Sequence, residues 1–401
     1  MSGRRKIAFV EFTPSGGLFQ FTAQLGEELA RRGHEVHLFT GPRPELASRQ
    51  PGFTVHPILP TWHPLDAEPR GRLVRRVRRV VRGGQLVVAW LVVLVVLRRA
   101  RADVALWSSW PKSIDSLGVL AVGKLVPRTM LGIVAHEPRL MRREDSTAYK
   151  RGPMLDRVLP AAWRRVGVAF VLAEDARRRL LDNFEPRGPV IAIPHGDESA
   201  LRMGVEVTPV ARTAPVALFF GTWTAYKGID VLLDAWPEVR RRVPDATLVL
   251  AGGVSGIDHE ALVVRAEEVG GVEAHPGYVA REDVPGFFSR ARVVVTPYIR
   301  ASQSGVAHLA YTFDRPVVAS AVGDIPDVVA DGRTGLLVPP GDRAALAEAL
   351  AALLADPVRA QEMGAAGARW LATEASWATV AERVEAGIEK AVHEGAAEGR
   401  G

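Results

Sequence analysis

The sequence contains no cysteine. Disulfides, zinc–thiolate sites, iron–sulfur clusters and cysteine nucleophiles are therefore excluded. Lysine is scarce: six of the 51 basic residues are lysine and the rest arginine. No uninterrupted apolar run approaches the ~20 residues of a spanning helix; the longest is Leu86–Leu97, LVVAWLVVLVVL, 12 residues. On that count no transmembrane segment is expected. The N-terminal MSGRRKIAFVEF does not read as a signal peptide, because its apolar stretch Ile7–Val10 leads straight into a strand pattern. No G-x-G-x-x-G, G-x-S-x-G or H-E-x-x-H occurs, which disfavours a dinucleotide cofactor, an α/β-hydrolase nucleophile and a zincin site. No residue cluster is read as a metal site, so no metal is expected.

At 401 residues, 47% hydrophobic and 24% charged, with a formal charge of +6, the chain reads as a globular protein of two domains without a nucleic-acid-binding character. Short apolar runs alternate with helical patterns. Lys6–Phe12, Glu35–Thr40 and Phe53–Ile58 read as strands, with a helix over Leu18–Arg32 closed by Gly33. The pattern resumes at Val104–Trp107 and again, after a polar, Gly- and Pro-broken stretch at 197–215, from Val216 onward. Strand, helix, strand at this spacing specifies parallel sheets covered by helices. The expected architecture is α/β: two Rossmann-like doubly wound domains, 1–200 and 201–375, followed by a helix from 376 that packs back toward the first domain. Ligands of such sheets bind at the carboxyl ends of the strands, and the cleft between two such domains is the default site.

Several turns at strand ends are candidates for chemistry. Thr13-Pro14-Ser15-Gly16-Gly17 opens a helix, and amides there attract anions; a plain strand-to-helix turn explains it equally. Phe219–Gly228, FFGTWTAYKG, carries the only lysine between Lys150 and Lys390. A cation at a helix start opposes the helix dipole, and a bound phosphate resolves the conflict. The alternative is a solvated surface lysine. Ser304-Gly305-Val306 supplies three unobstructed amides at another helix start, and Ser320–Pro326 follows a further strand. His136 and His195 each end a strand-like run, where a structural histidine is the common finding and a site histidine the alternative.

Taken together, FFGTWTAYKGIDVLLDAW, LVLAGG, GYVAREDVPGFFSRARVVVTPY, ASQSGVAHLAYTFDRPVVAS and VGDIPDVVADGRTGLLVPPGD resemble the GT-B glycosyltransferases, specifically the retaining family 4, over nearly the whole chain. The resemblance implies transfer of a sugar from a nucleotide diphosphate sugar, UDP- or GDP-linked, to an acceptor hydroxyl in polysaccharide, glycolipid or other glycoconjugate synthesis. It implies that Lys227 pairs with the donor diphosphate and that Ser304, Gly305 and Val306 hold it through their amides. Tyr278 and Val279 fall where the base is contacted. Gly16 and Gly17 match the loop facing the phosphate, and His136 a histidine beside the transferred sugar. Gly221, Thr222, Gly253, Gln303 and Leu309 complete the donor set, and His195, Arg139, Arg142 and Arg143 are assigned to the acceptor side. Two glutamates usual in the family are replaced by Ala301 and Leu309, as in a Gln-Ser-Gly branch, and the usual arginine upstream of the lysine by Thr222 or Thr224. A catalytically inactive partner of another glycosyltransferase and a nucleotide-sugar epimerase are the alternatives.

Ten arginines lie in residues 70–101 around the Leu86–Leu97 run. Leu73, Val74, Val77, Val80 and Val81 alternate with them at the spacing of a basic amphipathic helix. The expectation is a cytoplasmic protein that touches the inner face of the membrane through this segment; the alternative is a buried helix with solvated arginine ends. A second basic stretch, Arg139 to Arg151, is read as an acceptor lip.

Overall fold

The computed structural model of the chain describes residues 3–63, 66, 72–110, 113–136, 153–301 and 304–398. They form two compact units: residues 1–194 together with 377–401, and residues 195–376.

The described residues of unit 1 hold seven strands: β1 (Lys6–Glu11), β2 (Glu35–Thr40), β3 (Phe53–His56), β4 (Val104–Trp107), β5 (Met130–Ala135), β6 (Val168–Val171) and β7 (Val190–Ala192). They are ordered β3-β2-β1-β4-β5-β6-β7 and every pairing is parallel. Strand order reverses beside β1, where a doubly wound sheet opens its crevice. The helices are α1 (Gly17–Arg31), α2 (Arg72–Ala100), α3 (Ser113–Leu125), α4 (Pro153–Trp163) and α5 (Glu174–Asn183). Alternation along β1 sends Ile7 and Phe9 into one core and Ala8 and Val10 into another. The first core is closed by α1 and by the helix Trp377–Glu398, which contributes Trp377, Val380, Ala381, Val384 and Ile388. Glu385 of that helix accepts from Arg32 Nη2 at 2.7 Å and pairs with His34 Nε2 at 2.9 Å. The second core receives Leu86, Trp90, Val93 and Leu97 of α2.

The sequence reading separates a basic amphipathic stretch from an apolar run. The structure joins them through Gly83 and Gly84 into one helix of 29 residues. Residues Leu73–Ala100 are long and apolar enough, by length and composition, to cross a membrane, which counting only the uninterrupted run does not reveal.

Unit 2 holds α6 (Ser199–Arg202), β8 (Val216–Phe220), α7 (Ile229–Arg242), β9 (Thr247–Gly252), α8 (His259–Val269), β10 (Val272–Pro276), α9 (Val284–Arg290), β11 (Val293–Thr296), α10 (Gly305–Thr312), β12 (Val317–Ser320), α11 (Ile325–Val328), β13 (Gly335–Val338), α12 (Arg343–Ala355) and α13 (Pro357–Glu374). The helix Trp377–Glu398 of unit 1 is α14. The sheet order is β10-β9-β8-β11-β12-β13, again all parallel. The polar stretch 197–215, within which the sequence reading sets the domain boundary at 200/201, belongs instead wholly to unit 2. Leu201, Val207 and Val210 are in its core. The guanidinium of the buried Arg315 donates to the carbonyl of Thr208 at 2.6 Å, and Arg292 donates to that of Thr213. Two buried arginines thus spend their donors on backbone carbonyls of an otherwise irregular segment, which a hydropathy pattern cannot foresee.

Candidate functional site

In unit 2 the chain leaves β8 at Gly221 and makes one 3-10 turn at Ala225–Lys227 before α7. Trp223, fully buried, pins the loop: its amide donates to the carbonyl of Gly253 at 2.6 Å. Gly228 has φ 70°, and a Cβ there would lie 2.0 Å from the carbonyl oxygen of Pro297. Only glycine allows that left-handed turn and close approach. The Ile299 amide donates to the Tyr226 carbonyl at 2.8 Å, so the lysine loop is fixed to the segment after β11. Lys227 folds back over the end of β8: its Nζ is 2.8 Å from where a Cβ on Gly221 would stand and 5.4 Å from the Tyr298 ring centre. Val306 approaches the same point to 3.7 Å.

Ser304 caps α10 and is buried. His308 Nδ1 lies 3.3 Å from the Ser304 carbonyl oxygen, and burial pushes the His308 imidazole down to about 4, so the ring is neutral. His195 lies against this helix start: a Cβ on Gly305 would be 3.1 Å from its Cε1 and Nε2. Six of the residues singled out from the sequence, Gly221, Lys227, Ser304, Gly305, Val306 and His195, therefore gather at the carboxyl end of β8 and the amino end of α10. Leu309 is not among them, since it is buried in the core of the unit. Thr222 and Tyr278 are exposed, while Gly253 and Val279 are half-buried. Gln303 lies outside the described residues.

In unit 1, Gly16 caps α1 with φ 88°, and a Cβ on Gly16 or Gly17 would meet nothing within 4 Å. The Gly16 amide donates at 2.8 Å to Glu45, whose other oxygen accepts from Gln20 at 2.9 Å. A carboxylate of the chain thus satisfies one amide of this helix start. His136 follows β5, buried, with Phe21 of α1 edge-on at 4.5 Å. Burial lowers its pKa to about 3, so the imidazole is neutral near pH 7 and suited to hydrogen bonding with a hydroxyl rather than to carrying charge. Arg139, Arg142 and Arg143 lie outside the described residues.

The sequence reading does not single out Glu11. It ends β1 fully buried; one oxygen accepts from the Thr13 amide at 3.0 Å and the other from the Ser108 hydroxyl. Burial, the largest influence, raises its pKa to about 8. A lone acidic residue closing an apolar strand, KIAFVE, is the only signal the sequence offers. Among the described residues no group of three or more His, Asp or Glu is placed to hold a metal ion. His34 and His37, spaced as H-x-x-H, take separate partners, Glu385 and His56.

Residues 214–356 match the family of glycosyl transferases group 1. The chain is 31% identical to the D-inositol 3-phosphate glycosyltransferase of Frankia alni over 92% of this chain and 93% of that protein. It is 30% identical to the GDP-mannose-dependent alpha-(1-6)-phosphatidylinositol monomannoside mannosyltransferase of Mycolicibacterium smegmatis over 65% of this chain and 74% of the relative. Its fold is similar to that of the sucrose-phosphate synthase of Thermosynechococcus elongatus, with a TM-score of 0.70 at 22% identity, covering 95% of this chain and 97% of that structure. With two parallel Rossmann-like units of the GT-B class and relatives of this similarity along nearly its full length, the chain is a glycosyltransferase belonging to the glycosyl transferases group 1 family.

Proposed function

We propose that this glycosyltransferase takes a hexosyl group from a UDP- or GDP-linked sugar, held in unit 2, and passes it with retention to a hydroxyl of a lipid-linked glycan acceptor. The observation that carries the donor half is the convergence of Gly221, Lys227 and Val306 at the mouth of α10. Bond breaking between the anomeric carbon and the β-phosphate oxygen leaves the electron pair on that oxygen. The Lys227 ammonium and the α10 amides stabilise the charge that develops there, and the reading expects no divalent metal. The acceptor oxygen bonds to the anomeric carbon on the same face, and its proton passes to the departing phosphate. Neutral His136 hydrogen-bonds the transferred sugar in this reading.

The acceptor half rests on α2. Leu73 and Val80 are 75% and 72% exposed, and Val74, Val77, Val81, Val87, Val88, Leu91 and Val95 are exposed as well. Exposed Arg75, Arg76 and Arg79 lie among them. Apolar side chains interleaved with arginines suit a helix lying in an anionic lipid interface, while Leu86, Trp90, Val93 and Leu97 hold it to the unit 1 core. Of the relatives, the mannosyltransferase is named for a lipid acceptor, phosphatidylinositol monomannoside, which supports this reading, whereas the other is named for D-inositol 3-phosphate, a water-soluble acceptor.

The test is a thermal-shift panel of nucleotide sugars, since a bound donor raises the melting temperature, repeated on Lys227→Ala. The expected result is stabilisation by one nucleotide class in the wild type and its loss in a folded Lys227→Ala protein, with transfer abolished. Retained donor binding and turnover in that variant would sink the assignment.

A further inference from the structure

The donor diphosphate carries two negative charges, and the loop that presents Lys227 offers Thr222 and Thr224 rather than a second cation. We propose that His195 supplies the second positive charge, as an imidazolium that faces the diphosphate across Gly305; this rests on the reading of the α10 mouth as the phosphate site. The geometry is directional. One edge of the His195 ring, Cε1 and Nε2, lies on Gly305, where any Cβ would be only 3.1 Å away. Its other nitrogen, Nδ1, lies 3.7 Å from Glu198 Oε1. Glu198 is itself buried and fixed to α10, its amide donating to Thr312 Oγ1 at 3.0 Å. Thr312 Oγ1 in turn donates to the His308 carbonyl at 3.0 Å. The 195–198 loop is thereby strapped along the helix whose first amides meet the phosphate.

Among the described residues, Glu198 and His308 are ionisable groups beside the ring. Glu198, from its own loop, favours the protonated imidazole. His308, from α10, has its ring centre at 5.2 Å and is kept neutral by burial, so it does not oppose a charge on His195. A carboxylate 3.7 Å from one ring nitrogen, at ion-pair distance, with the phosphate of this proposal before the other, favours the cation. The sequence reading assigns His195 to the acceptor side; its contact with Gly305 places it with the donor helix instead. Glu198 acts through His195 and is a positioning residue.

The consequence is an affinity for donor that depends on pH, although a nucleotide sugar has no group of its own titrating near neutrality. The experiment measures binding of GDP-mannose and of UDP-glucose by calorimetry from about pH 5.5 to 8.5, spanning the ordinary imidazole range, in buffers of differing ionisation enthalpy. The wild type is expected to take up a proton on binding and to weaken as pH rises. His195→Gln, and His195→Asn as a second variant with its folding checked by melting, should bind about tenfold or more weakly at the acid end and show no proton uptake. Glu198→Gln should move the wild-type pH profile to lower pH. Wild-type binding without proton uptake, or a folded His195 variant with the wild-type profile, overturns the inference while leaving Lys227 untouched. Donor binding by Lys227→Ala equal to wild type, or no binding of either probe by wild type, overturns the reading of the phosphate site and the inference with it.

Discussion

Two buried titratable residues at strand ends of unit 1 have shifts of opposite consequence. Glu11 is raised to about 8, above its unfolded value near 4.5, so the folded state holds its proton. Its contribution is fully present below the unfolded value and is lost as pH climbs through 8. Glu11→Gln, which cannot ionise, should therefore gain in melting temperature relative to wild type on going from pH 5 to pH 8.5; parallel curves would mean that Glu11 is ionised in the fold. His136 is lowered to about 3 by burial, so the folded state prefers the neutral ring and stability falls as pH drops from the unfolded value near 6.5 toward 3. His136→Ala should lower turnover about 10²-fold, the order seen on removing one transition-state hydrogen-bond partner, with nucleoside diphosphate affinity nearly unchanged. Its turnover loss should be the same at pH 6 and pH 8. A drop in melting temperature with turnover preserved would make His136 purely structural.

Which residues could be read in advance follows from what a one-dimensional pattern encodes. Lys227-Gly228 is visible because a lone lysine stands out in an arginine-rich chain and because glycine marks the turn. His195 beside Gly305 is not, since residues 110 positions apart carry no shared local signal. Leu309, matched by position to a donor-binding glutamate, packs into the core of unit 2, and its side chain has no hydrogen-bonding group to offer a ribose.

At the scale of elements, strands with apolar runs such as Val293–Val295 and Val317–Ala319 are legible because a parallel strand buried on both faces is largely apolar. The segment 199–213 is not, because buried arginines rather than apolar periodicity hold it. Helix α2 is half legible. Its amphipathic and apolar halves are both evident, but not that one helix runs through Gly83 and Gly84 and joins them. If that helix docks on lipid, wild-type protein should sediment with anionic vesicles, less so at high salt, each arginine near the surface contributing about 1 kcal/mol. Val77→Glu with Val80→Glu replaces side chains exposed to solvent, so the variant should stay folded and remain in the supernatant. Equal sedimentation of wild type and variant, or none of either, would turn the acceptor reading toward a soluble molecule.

At the scale of the molecule, unit 1 is completed by α14, which comes after unit 2 in the chain. Trp377, Val380, Val384 and Ile388 are all buried in the unit 1 core. At about 1.5–3 kcal/mol for each large apolar side chain buried, losing them approaches the 5–15 kcal/mol that holds a typical domain folded. Deletion of residues 377–401 should therefore abolish hydrogen-exchange protection in β1, β2 and β4, while β8, β9 and β11, whose core is separate, keep theirs. Protection retained in both sheets would show α14 to be dispensable. The same return of the chain sets an order on biosynthesis. While the ribosome adds unit 2, at about 5–20 residues per second, the α1 face that α14 will cover stands open, with Phe21 lacking Trp377, its neighbour at 5.0 Å. The second-made unit can close first, and the nascent first half spends that interval as a client for whatever chaperone shields bare aliphatic and aromatic surface.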